Sequence, residues 1–268
     1  MVKDISFEKD YYENPAFWEE SRYGKAETLK ARQVATWIPM DIESILDVGC
    51  GNGWFTNFAA KTYDIVGVDR SRAALGHVKT VCCQADAGNL PFPNRSFDLV
   101  VSMEVLEHLT IEHYQQTLKE LVRVTRRYAL ITVPYAENIS LKLAVCPECG
   151  CKFHRWYHMR SFSKQKMLHL LSHQSDPITL KRLEGVLAIK QVPLISNILR
   201  LIHWRFNQRF PSLSTCPLCG YKKENIMTSS QVSRTSASPM SKHIKNLEAL
   251  IPLKTTSYRW WMALYEKI

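Results

Sequence analysis

The sequence predicts a doubly wound α/β fold built on a mostly parallel sheet. The first observation is that short apolar segments alternate with helical segments between residues 44 and 133. The second is that 46% of the 268 residues are hydrophobic and 22% are charged, which is enough apolar material for a sizeable core. Strands that alternate with helices require crossover connections, and these cover both faces of a parallel sheet.

The elements of this region follow from hydrophobic periodicity and from turn residues. Ser71 is a suitable N-cap for the helix after the second strand. Helices are predicted at Ala26–Ile38, Trp54–Lys61 and Thr110–Thr125, the last with apolar residues at helical spacing. Five strands are predicted, at Ser44–Cys50, Tyr63–Asp69, Thr80–Asp86, Phe97–Met103 and Tyr128–Val133.

The pattern changes after Pro134, so we divide the chain into residues 1–137 and 138–268. The second part is predicted to contain two further strands, a helix, a basic apolar helix and a polar loop. In chain order these are a helix from Ser163 to about Ser172, a strand at Ile178–Leu187, the basic helix Leu194–Phe210, the loop Thr228–Ser241 and, after a short helix, a strand at Ser257–Glu266.

Charge is distributed unevenly between these two parts. Residues 1–137 carry 15 Lys and Arg against 19 Asp and Glu, a net charge of −4. Residues 138–268 carry 20 against 6, a net charge of +14, which can face phosphates, anionic lipids or an acidic substrate. Composition excludes a collagen-like or largely disordered chain. We expect a cytoplasmic protein, because the sequence contains no 18-residue apolar run and its N-terminus lacks the pattern of a signal peptide.

The glycine-rich segment after the first strand predicts a ligand site. Gly49, Gly51 and Gly53 allow a sharp turn and leave no Cβ between the backbone and a ligand. Asp69 ends the second strand 20 residues after Gly49, where a carboxylate can accept hydrogen bonds from a ribose diol. A dinucleotide fingerprint would place Gly or Ala where this chain has Trp54, which argues against NAD.

Three segments together resemble the class I S-adenosylmethionine-dependent methyltransferases, closest to the broad type 11 group that includes quinone-biosynthesis enzymes. They are LDVGCGNGWFT, VGVDRS and QADAGNLPFPNRSFDLVVSMEVLEHL, within residues 40–135. The resemblance implies a Rossmann-like sheet of seven strands, the last antiparallel, with S-adenosyl-L-methionine as cofactor. It also implies the cofactor-binding residues: Asp47, Gly49, Gly51 and Gly53 at the methionine portion, Asp69 at the ribose, Asp86 and Ala87 at the adenine, and Met103 beside Glu104 near the sulfonium.

Methyl transfer makes modest demands on catalytic side chains. A sulfonium is a strong electrophile, so the enzyme must mainly align nucleophile, methyl group and leaving sulfur. A hydroxyl acceptor also needs a base within hydrogen-bond reach, and the candidates are His108, His158 and His154. Arg155 and Arg160 are candidates for holding an anionic acceptor. The lack of Asn-Pro-Pro-Tyr after the fourth strand counts against amino methylation.

Two cysteine knuckles predict a structural zinc site. Each is a Cys-Pro-x-Cys-Gly turn, and two such turns can present four thiolates to one tetrahedral ion. We expect Zn²⁺ to clip two insertions into a lid over the site, with Cys151 and His154 as reserve ligands. The predicted ligands are Cys146, Cys149, Cys216 and Cys219.

The leading hypothesis is O-methylation of a small-molecule, glycan or lipid-linked acceptor. Leu194–Phe210 also has a composition suited to peripheral contact with an anionic membrane, although packing of this segment on the sheet is the simpler interpretation. Two alternatives remain open from the sequence. One is an RNA methyltransferase with a zinc module, and the other is a non-catalytic, zinc-clipped interaction scaffold.

Overall fold

A seven-stranded sheet forms the centre of the computed structural model. Its parallel strands are joined by one antiparallel strand, and two short two-stranded sheets lie outside it. In chain order the strands are β1 (Ser44–Val48), β2 (Asp64–Asp69), β3 (Cys82–Gln84), β4 (Phe97–Met103), β5 (Thr125–Pro134), β6 (Leu143–Val145), β7 (Lys152–His154), β8 (Ile178–Leu187), β9 (Val192–Pro193), β10 (Lys254–Thr255) and β11 (Tyr258–Lys267).

Strand order in the large sheet is β3-β2-β1-β4-β5-β11-β8. β11 pairs antiparallel with β5 and with β8, so β8 runs in the same direction as β1 to β5. The prediction of a doubly wound, mostly parallel sheet of seven strands with an antiparallel last strand is therefore confirmed. The carboxyl ends of β1 to β5 meet at one edge, where an open α/β sheet binds its ligands.

The helices of the described chain are α1 (Gly24–Ala35), α2 (Trp54–Ala59), α3 (Arg72–Leu75), α4 (Ile111–Val124) and α5 (Lys164–Leu168). Side-chain caps begin three of them. Ser71, Thr110 and Ser163 each accept a hydrogen bond from a backbone N–H in the first turn. The predicted N-cap at Ser71 is thus confirmed. Two single turns of 3₁₀ helix complete the set, at Pro15–Phe17 and Ile139–Lys142.

The structure describes residues 11–18, 24–172, 174, 178–187, 192–193, 210–211, 213–223, 254–255 and 258–268. Three predicted elements lie outside these residues. They are the basic helix Leu194–Phe210, apart from Phe210 itself, the loop Thr228–Ser241 and the short helix before the last strand. In the described part of the chain, no helix is long and apolar enough to cross a bilayer.

The sheet is buried on both faces, because successive side chains of a strand point to opposite sides. Leu46 and Val100 belong to one cluster of buried residues, which α4 and α5 cover. Ile45, Leu99 and Val101 belong to a second cluster on the other face, which α1 and α2 cover. Strands with apolar side chains on both faces therefore suit this central place in the sheet.

Several predicted boundaries were wrong. The third strand spans only Cys82–Gln84 rather than Thr80–Asp86, because Asp86 turns the chain and accepts the backbone N–H of Gly88. The helix predicted to reach about Ser172 ends at Leu168, and Leu170 and Leu171 are buried in the turn that follows. By contrast, both ends of β4 were predicted correctly. The first knuckle lies between β6 and β7, an antiparallel hairpin outside the sheet.

Candidate functional site

The turn after β1 brings bare backbone to the ligand edge of the sheet. Gly49, Gly51 and Gly53 all have positive φ, at 75°, 55° and 77°. A Cβ on Gly49 would lie 2.2 Å from the Val105 side chain, and one on Gly51 would lie 2.9 Å from the Trp18 ring. Any side chain at Gly49 or Gly51 would therefore clash with its neighbour as well as strain the backbone.

Asp69 ties this turn to the next helix. One carboxylate oxygen accepts the backbone N–H of Gly51 at 2.8 Å, and the other accepts that of Ser71 at 2.8 Å. Burial raises the pKa of Asp69, and the hydrogen bonds from Ser71 and Gly51 oppose that shift. A carboxylate has about four lone-pair sites, so about two remain for a ligand in the cavity that Asp69 lines.

Asp47 lies behind the glycine turn rather than on the cavity wall. It is fully buried and accepts the Thr56 hydroxyl at 2.6 Å, while its other oxygen has no hydrogen bond. Burial raises the pKa of Asp47 to about 7. Gly53 also lies off the wall, where an added Cβ would meet Asn57 and Val78.

A cavity of about 480 Å³ covers the carboxyl ends of β1 to β5. Of the predicted cofactor residues, Gly49, Gly51, Asp69, Asp86, Ala87 and Met103 line it. We call the part above β1 to β3 the cofactor half and the part above β4 and β5 the acceptor half. Much of the remaining wall is aromatic, with Tyr11, Tyr12, Phe17, Trp18, Trp54, Trp156 and Trp260.

The end of β4 is strained at the boundary between the two halves. Glu104 has a φ of 56°, which is uncommon outside glycine and asparagine. Its backbone N–H donates to Thr132 of β5 at 3.0 Å, and the Thr132 hydroxyl donates to the Glu104 carboxylate at 3.2 Å. Met103 and Glu104 thereby face the cavity where the two halves meet.

Two histidines proposed from the sequence meet in the acceptor half. His108 and His158 both line the cavity, with their ring centroids 4.7 Å apart. The Tyr12 hydroxyl lies 3.2 Å from His108 Nδ1. Burial lowers the pKa of His108 well below its usual value, and the neighbouring His158 and His154 add to that shift. His108 is therefore neutral over the physiological range.

Glu137 organises the other imidazoles, and sequence analysis missed it. This buried carboxylate contacts His158 Nδ1 and Lys142 Nζ, and it lies 3.6 Å from His154 Nε2. Burial works to raise the pKa of Glu137, but the hydrogen bond and charge of His158 and those of Lys142 outweigh it and lower the pKa to about 2. Burial lowers the pKa of His154 to about 3, so that ring is neutral.

Cations and tryptophans form the outer part of the acceptor half. Lys30 and Arg259 lie over the Trp260 ring, at 4.8 and 4.7 Å from its centroid. Lys142 lies 5.1 Å from the centroid of Trp156. Such positions combine flat apolar surface with positive charge.

The two arginines predicted to hold an anionic acceptor lie off the cavity wall. The Arg160 guanidinium donates to the Leu106 carbonyl at 2.7 Å and stacks on Tyr114 at 4.1 Å. Arg155 lies 5.8 Å from the Trp156 centroid. Arg160 thus positions the segment after β4, and an anionic acceptor would instead meet Lys30, Lys142 and Arg259.

The four predicted cysteine ligands come together in space. Their sulfur atoms all lie within 4.8 Å of one another, with Cys146 3.7 Å from Cys219 and Cys149 3.6 Å from Cys216. The reserve ligands are outside this set. The Cys151 thiol faces the Lys152 carbonyl at 3.8 Å, and His154 faces Glu137.

The two knuckles have the same local geometry, although 66 residues separate Cys149 from Cys216. In each, the glycine N–H donates to the first cysteine carbonyl at 3.0 Å, and the glycine has a φ of 70° or 75°. Antiparallel pairing closes both turns, through β6 and β7 in one and the Thr215–Lys222 bridge in the other. This matches the paired turns that present thiolates to one metal.

The knuckle region packs beside the cavity. The Tyr157 hydroxyl donates to the Thr215 carbonyl at 2.9 Å and accepts its N–H at 2.7 Å. The Tyr157 ring also contacts Tyr11, a wall residue, at 5.0 Å. Residues that follow β6 and β7 therefore shape the acceptor half.

Comparison with known proteins agrees with this geometry. Residues 46–133 match the family model described as a methyltransferase domain, of type 11. Two solved structures have the same fold at low sequence identity. An Archaeoglobus fulgidus methyltransferase structure aligns at a TM-score of 0.52 and 15% identity, covering 93% of this chain and 97% of the other. A chain of the Haloferax volcanii complex of the Trm112 activator with a methyltransferase aligns at 0.57 and 14%, covering 94% and 96%.

The fold is that of a class I methyltransferase. Curated relatives share only its central part. A probable S-adenosylmethionine-dependent methyltransferase of Mycobacterium tuberculosis is 30% identical over 102 residues, which is 36% of each chain. A tRNA (carboxymethyluridine(34)-5-O)-methyltransferase of Arabidopsis thaliana is 35% identical over 109 residues, 37% of this chain and 26% of the relative. A phthiotriol/phenolphthiotriol dimycocerosates methyltransferase of Mycobacterium tuberculosis is 29% identical over 115 residues, 39% and 41%.

The chain therefore spans about two fifths or less of the curated relatives it matches. In this methyltransferase fold the matched region supplies the cofactor half. The acceptor half takes Glu137, Lys142, Trp156, His158, Arg259 and Trp260 from residues beyond the match. Position after β5 was the one signal in the sequence that could have singled out Glu137.

Proposed function

We propose that this chain is an S-adenosylmethionine-dependent methyltransferase that acts on an oxygen of a small-molecule, glycan or lipid-linked acceptor. One observation carries the proposal: the glycine turn and Asp69 frame a cavity at the carboxyl edge of a methyltransferase sheet. The intact glycines and the cavity beside them weigh against a non-catalytic scaffold, because neither would be needed to support an interaction surface.

The residues of the cofactor half fit this cofactor. Asp69 has lone pairs left for ribose hydroxyls, and the bare backbone of Gly49 and Gly51 lets the methionine portion approach closely. Asp86 and Ala87 lie where an adenine edge would pass. When bound, S-adenosylmethionine supplies an electrophilic methyl group on sulfur. Met103 lies at the junction of the two halves, which is where that methyl group must point.

The acceptor half supports alignment and proton removal. Its tryptophans offer flat apolar surface for a ring or an acyl chain, which orients the nucleophile toward the methyl group. A hydroxyl acceptor must also lose its proton. His108 and His158 are the candidate groups, and Glu137 orients His158 by accepting its Nδ1–H.

The four cysteines fit a structural zinc ion. Tetrahedral Zn²⁺ with Zn–S bonds of about 2.3 Å places sulfur atoms about 3.8 Å apart. Two of the sulfur pairs, Cys146 with Cys219 and Cys149 with Cys216, are 3.7 and 3.6 Å apart, although their residues differ by 73 and 67 positions. We infer that the ion joins the β6–β7 hairpin to residues 213–223, and so holds a lid beside the acceptor half.

Acceptor class and location follow less directly. The relatives include one enzyme named for a tRNA substrate and one named for a lipid, and the basic half of this chain suits either phosphate or anionic headgroups. We favour the small or lipid-linked acceptor, because aromatic side chains form much of the wall of the described cavity. We place the protein in the cytoplasm, with peripheral membrane contact as a hypothesis for Leu194–Phe210.

The test has two steps. Isothermal titration calorimetry should show S-adenosylmethionine binding to the chain, and no binding would contradict the proposal. Label transferred from methyl-labelled cofactor to a fractionated lysate, with Asp69→Ala as the blank, then reports the acceptor. Organic-phase or nuclease-resistant water-soluble label supports the proposal, whereas nuclease-sensitive label would replace it with RNA methylation.

A further inference from the structure

Glu107, His108 and His158 form a cluster in the acceptor half, separate from the four cysteines. One oxygen or nitrogen atom from each lies within 4.8 Å of the others. Glu107 Oε1 is 4.0 Å from His108 Nε2. The two histidines line the cavity, whereas Glu107 lies behind them. Two imidazoles and one carboxylate are a donor set typical of divalent transition metals.

Glu107 needs a partner that the protein does not supply. Its side chain is fully buried, and neither carboxylate oxygen accepts a hydrogen bond from another residue. Burial raises the pKa of Glu107 well above its usual value, and repulsion from Glu104 exceeds the attraction of Lys30. Buried carboxylates without partners are rare because desolvation is costly. A cation held against Glu107 would remove that cost.

Both histidines present the correct nitrogen to such an ion. His158 donates its Nδ1–H to Glu137, so its Nε2 carries the lone pair once the ring is deprotonated, as metal binding requires. The Tyr12 hydroxyl lies 3.2 Å from His108 Nδ1 and 3.5 Å from Nε2, and Nε2 lies 4.0 Å from the Glu107 carboxylate. Metal-binding histidines almost always donate their second ring N–H to a carboxylate or another oxygen. Here the second ring nitrogen of His158 contacts the Glu137 carboxylate, and that of His108 lies beside the Tyr12 hydroxyl.

A neighbouring set, Glu137 with His154 and His158, fails this criterion. His154 Nδ1 accepts the backbone N–H of His158 at 3.0 Å, so the proton of the neutral ring is on Nε2. That N–H points toward Glu137 at 3.6 Å. His154 therefore lacks a lone pair for a metal in this place, and His158 uses Nδ1 to donate rather than to ligate.

We propose that Glu107, His108 and His158 bind a divalent transition-metal ion in the wall of the acceptor half. Metal–ligand bonds of about 2.1 Å place tetrahedral ligand atoms about 3.4 Å apart, so the 4.0 Å gap between Glu107 and His108 closes with a small side-chain shift. Imidazole and carboxylate donors suit Zn²⁺, Fe²⁺, Co²⁺ and Mn²⁺. The open coordination positions face the cavity, because Glu107 approaches from behind it.

The role of this ion rests on the proposed function. A hydroxyl group bound to the metal has a lowered pKa and loses its proton to solvent. The oxygen then forms a bond to the methyl carbon, and the electron pair of the breaking S–C bond stays on sulfur. His108 and His158 would act as ligands in that step, in place of acting as bases.

The experiment is equilibrium dialysis of the full chain against Co²⁺, followed by metal analysis and visible absorption. We expect two ions per chain, one with thiolate charge-transfer absorption and one without. Glu107→Gln should lose the second ion and keep the first, and Cys149→Ser should do the reverse. His169→Ala removes an exposed imidazole elsewhere and should retain both.

Two outcomes would overturn the metal site: a single ion per chain with thiolate charge-transfer absorption in the unmodified protein, or two ions per chain in Glu107→Gln. Tyr12→Phe keeps all three ligands and removes only the phenolic hydroxyl beside His108, so this variant can test the metal site if Glu107→Gln fails to fold. It should weaken the binding of Co²⁺ at the second site by about 10- to 100-fold. An unchanged affinity would refute the assignment of His108 as a ligand oriented by Tyr12. S-adenosylmethionine titration is a separate readout: metal binding without cofactor binding would refute the proposed function alone.

Discussion

Asp69→Asn should weaken both the cofactor site and the fold, and the structure gives the size of each effect. The carboxylate accepts two backbone N–H groups, from Gly51 and Ser71, on different oxygens. An asparagine has one accepting oxygen, and its NH₂ group is a donor that would face the other N–H. One backbone donor therefore loses its partner in a buried place, which costs about 1–3 kcal/mol.

The same change removes negative charge from the ribose side of the cavity. Hydrogen bonds to a charged group contribute about 1.5–3 kcal/mol, against about 1 for neutral partners. Loss of this difference, together with movement of the Gly51 backbone, should raise the Kd for S-adenosylmethionine by about 10- to 100-fold.

Calorimetry gives the Kd, and urea unfolding followed by circular dichroism gives the free energy of unfolding. Asp64→Asn is the matched control, because it makes the same change at the exposed start of the same strand. It should leave the cofactor Kd and, to within about 0.5 kcal/mol, the stability unchanged. A Kd for Asp69→Asn within about twofold of the control would refute the role assigned to Asp69.

Three other predictions concern stability. Zinc analysis should find at least about one equivalent in protein purified without chelator and about one equivalent less in Cys149→Ser, whose melting temperature should fall; below about half an equivalent in the unmodified chain contradicts the zinc site. Burial works to raise the pKa of Asp98, but hydrogen bonds from Ser44, Glu43 and Arg126 lower it to about 2. The stability they add is therefore complete above about pH 4 and lost as the pH falls through 2. After allowance for solvent screening, this contribution to the free energy of unfolding amounts to about 1 kcal/mol. Asp98→Asn should therefore make stability depend less on pH between about pH 4 and 2, as measured by acid unfolding. An unchanged unfolding curve would contradict this role for Asp98. Gly49→Ala should lower the free energy of unfolding, measured in urea, by about 2–5 kcal/mol, because it adds backbone strain and a clash with Val105. Adding Val105→Ala should restore part of that stability, and no recovery would exclude the clash.

Much of the sheet was predictable because its determinants are local. Both ends of β4 were predicted correctly, since its residues other than Asp98 are apolar or small and the strand is flanked by turn residues. β3 was overestimated, because whether Cys82–Gln84 extends further depends on pairing with β2, and that pairing stops at Gln84. Hydrophobic periodicity cannot report where a neighbouring strand ends.

The candidate site divides in the same way. Its cofactor half uses residues within 60 positions of one another, each at the end of a strand, so their order along the chain implies their proximity. The acceptor half brings Tyr12, Glu137 and Trp260 together across the whole chain. No spacing rule connects such residues, because the contact depends on how the segment before α1, the loop after β5 and the start of β11 pack.

By itself the sequence determined the α/β fold, the glycine turn and which four cysteines form the two knuckles. Each of these depends on the conformation of a short segment or on the chemistry of one residue type. Only the tertiary structure decided that the four cysteine sulfur atoms lie within 4.8 Å of one another, that Arg160 positions a loop, and that Glu107 is buried beside two imidazoles. Those facts depend on contacts between distant segments, which packing of the whole chain selects.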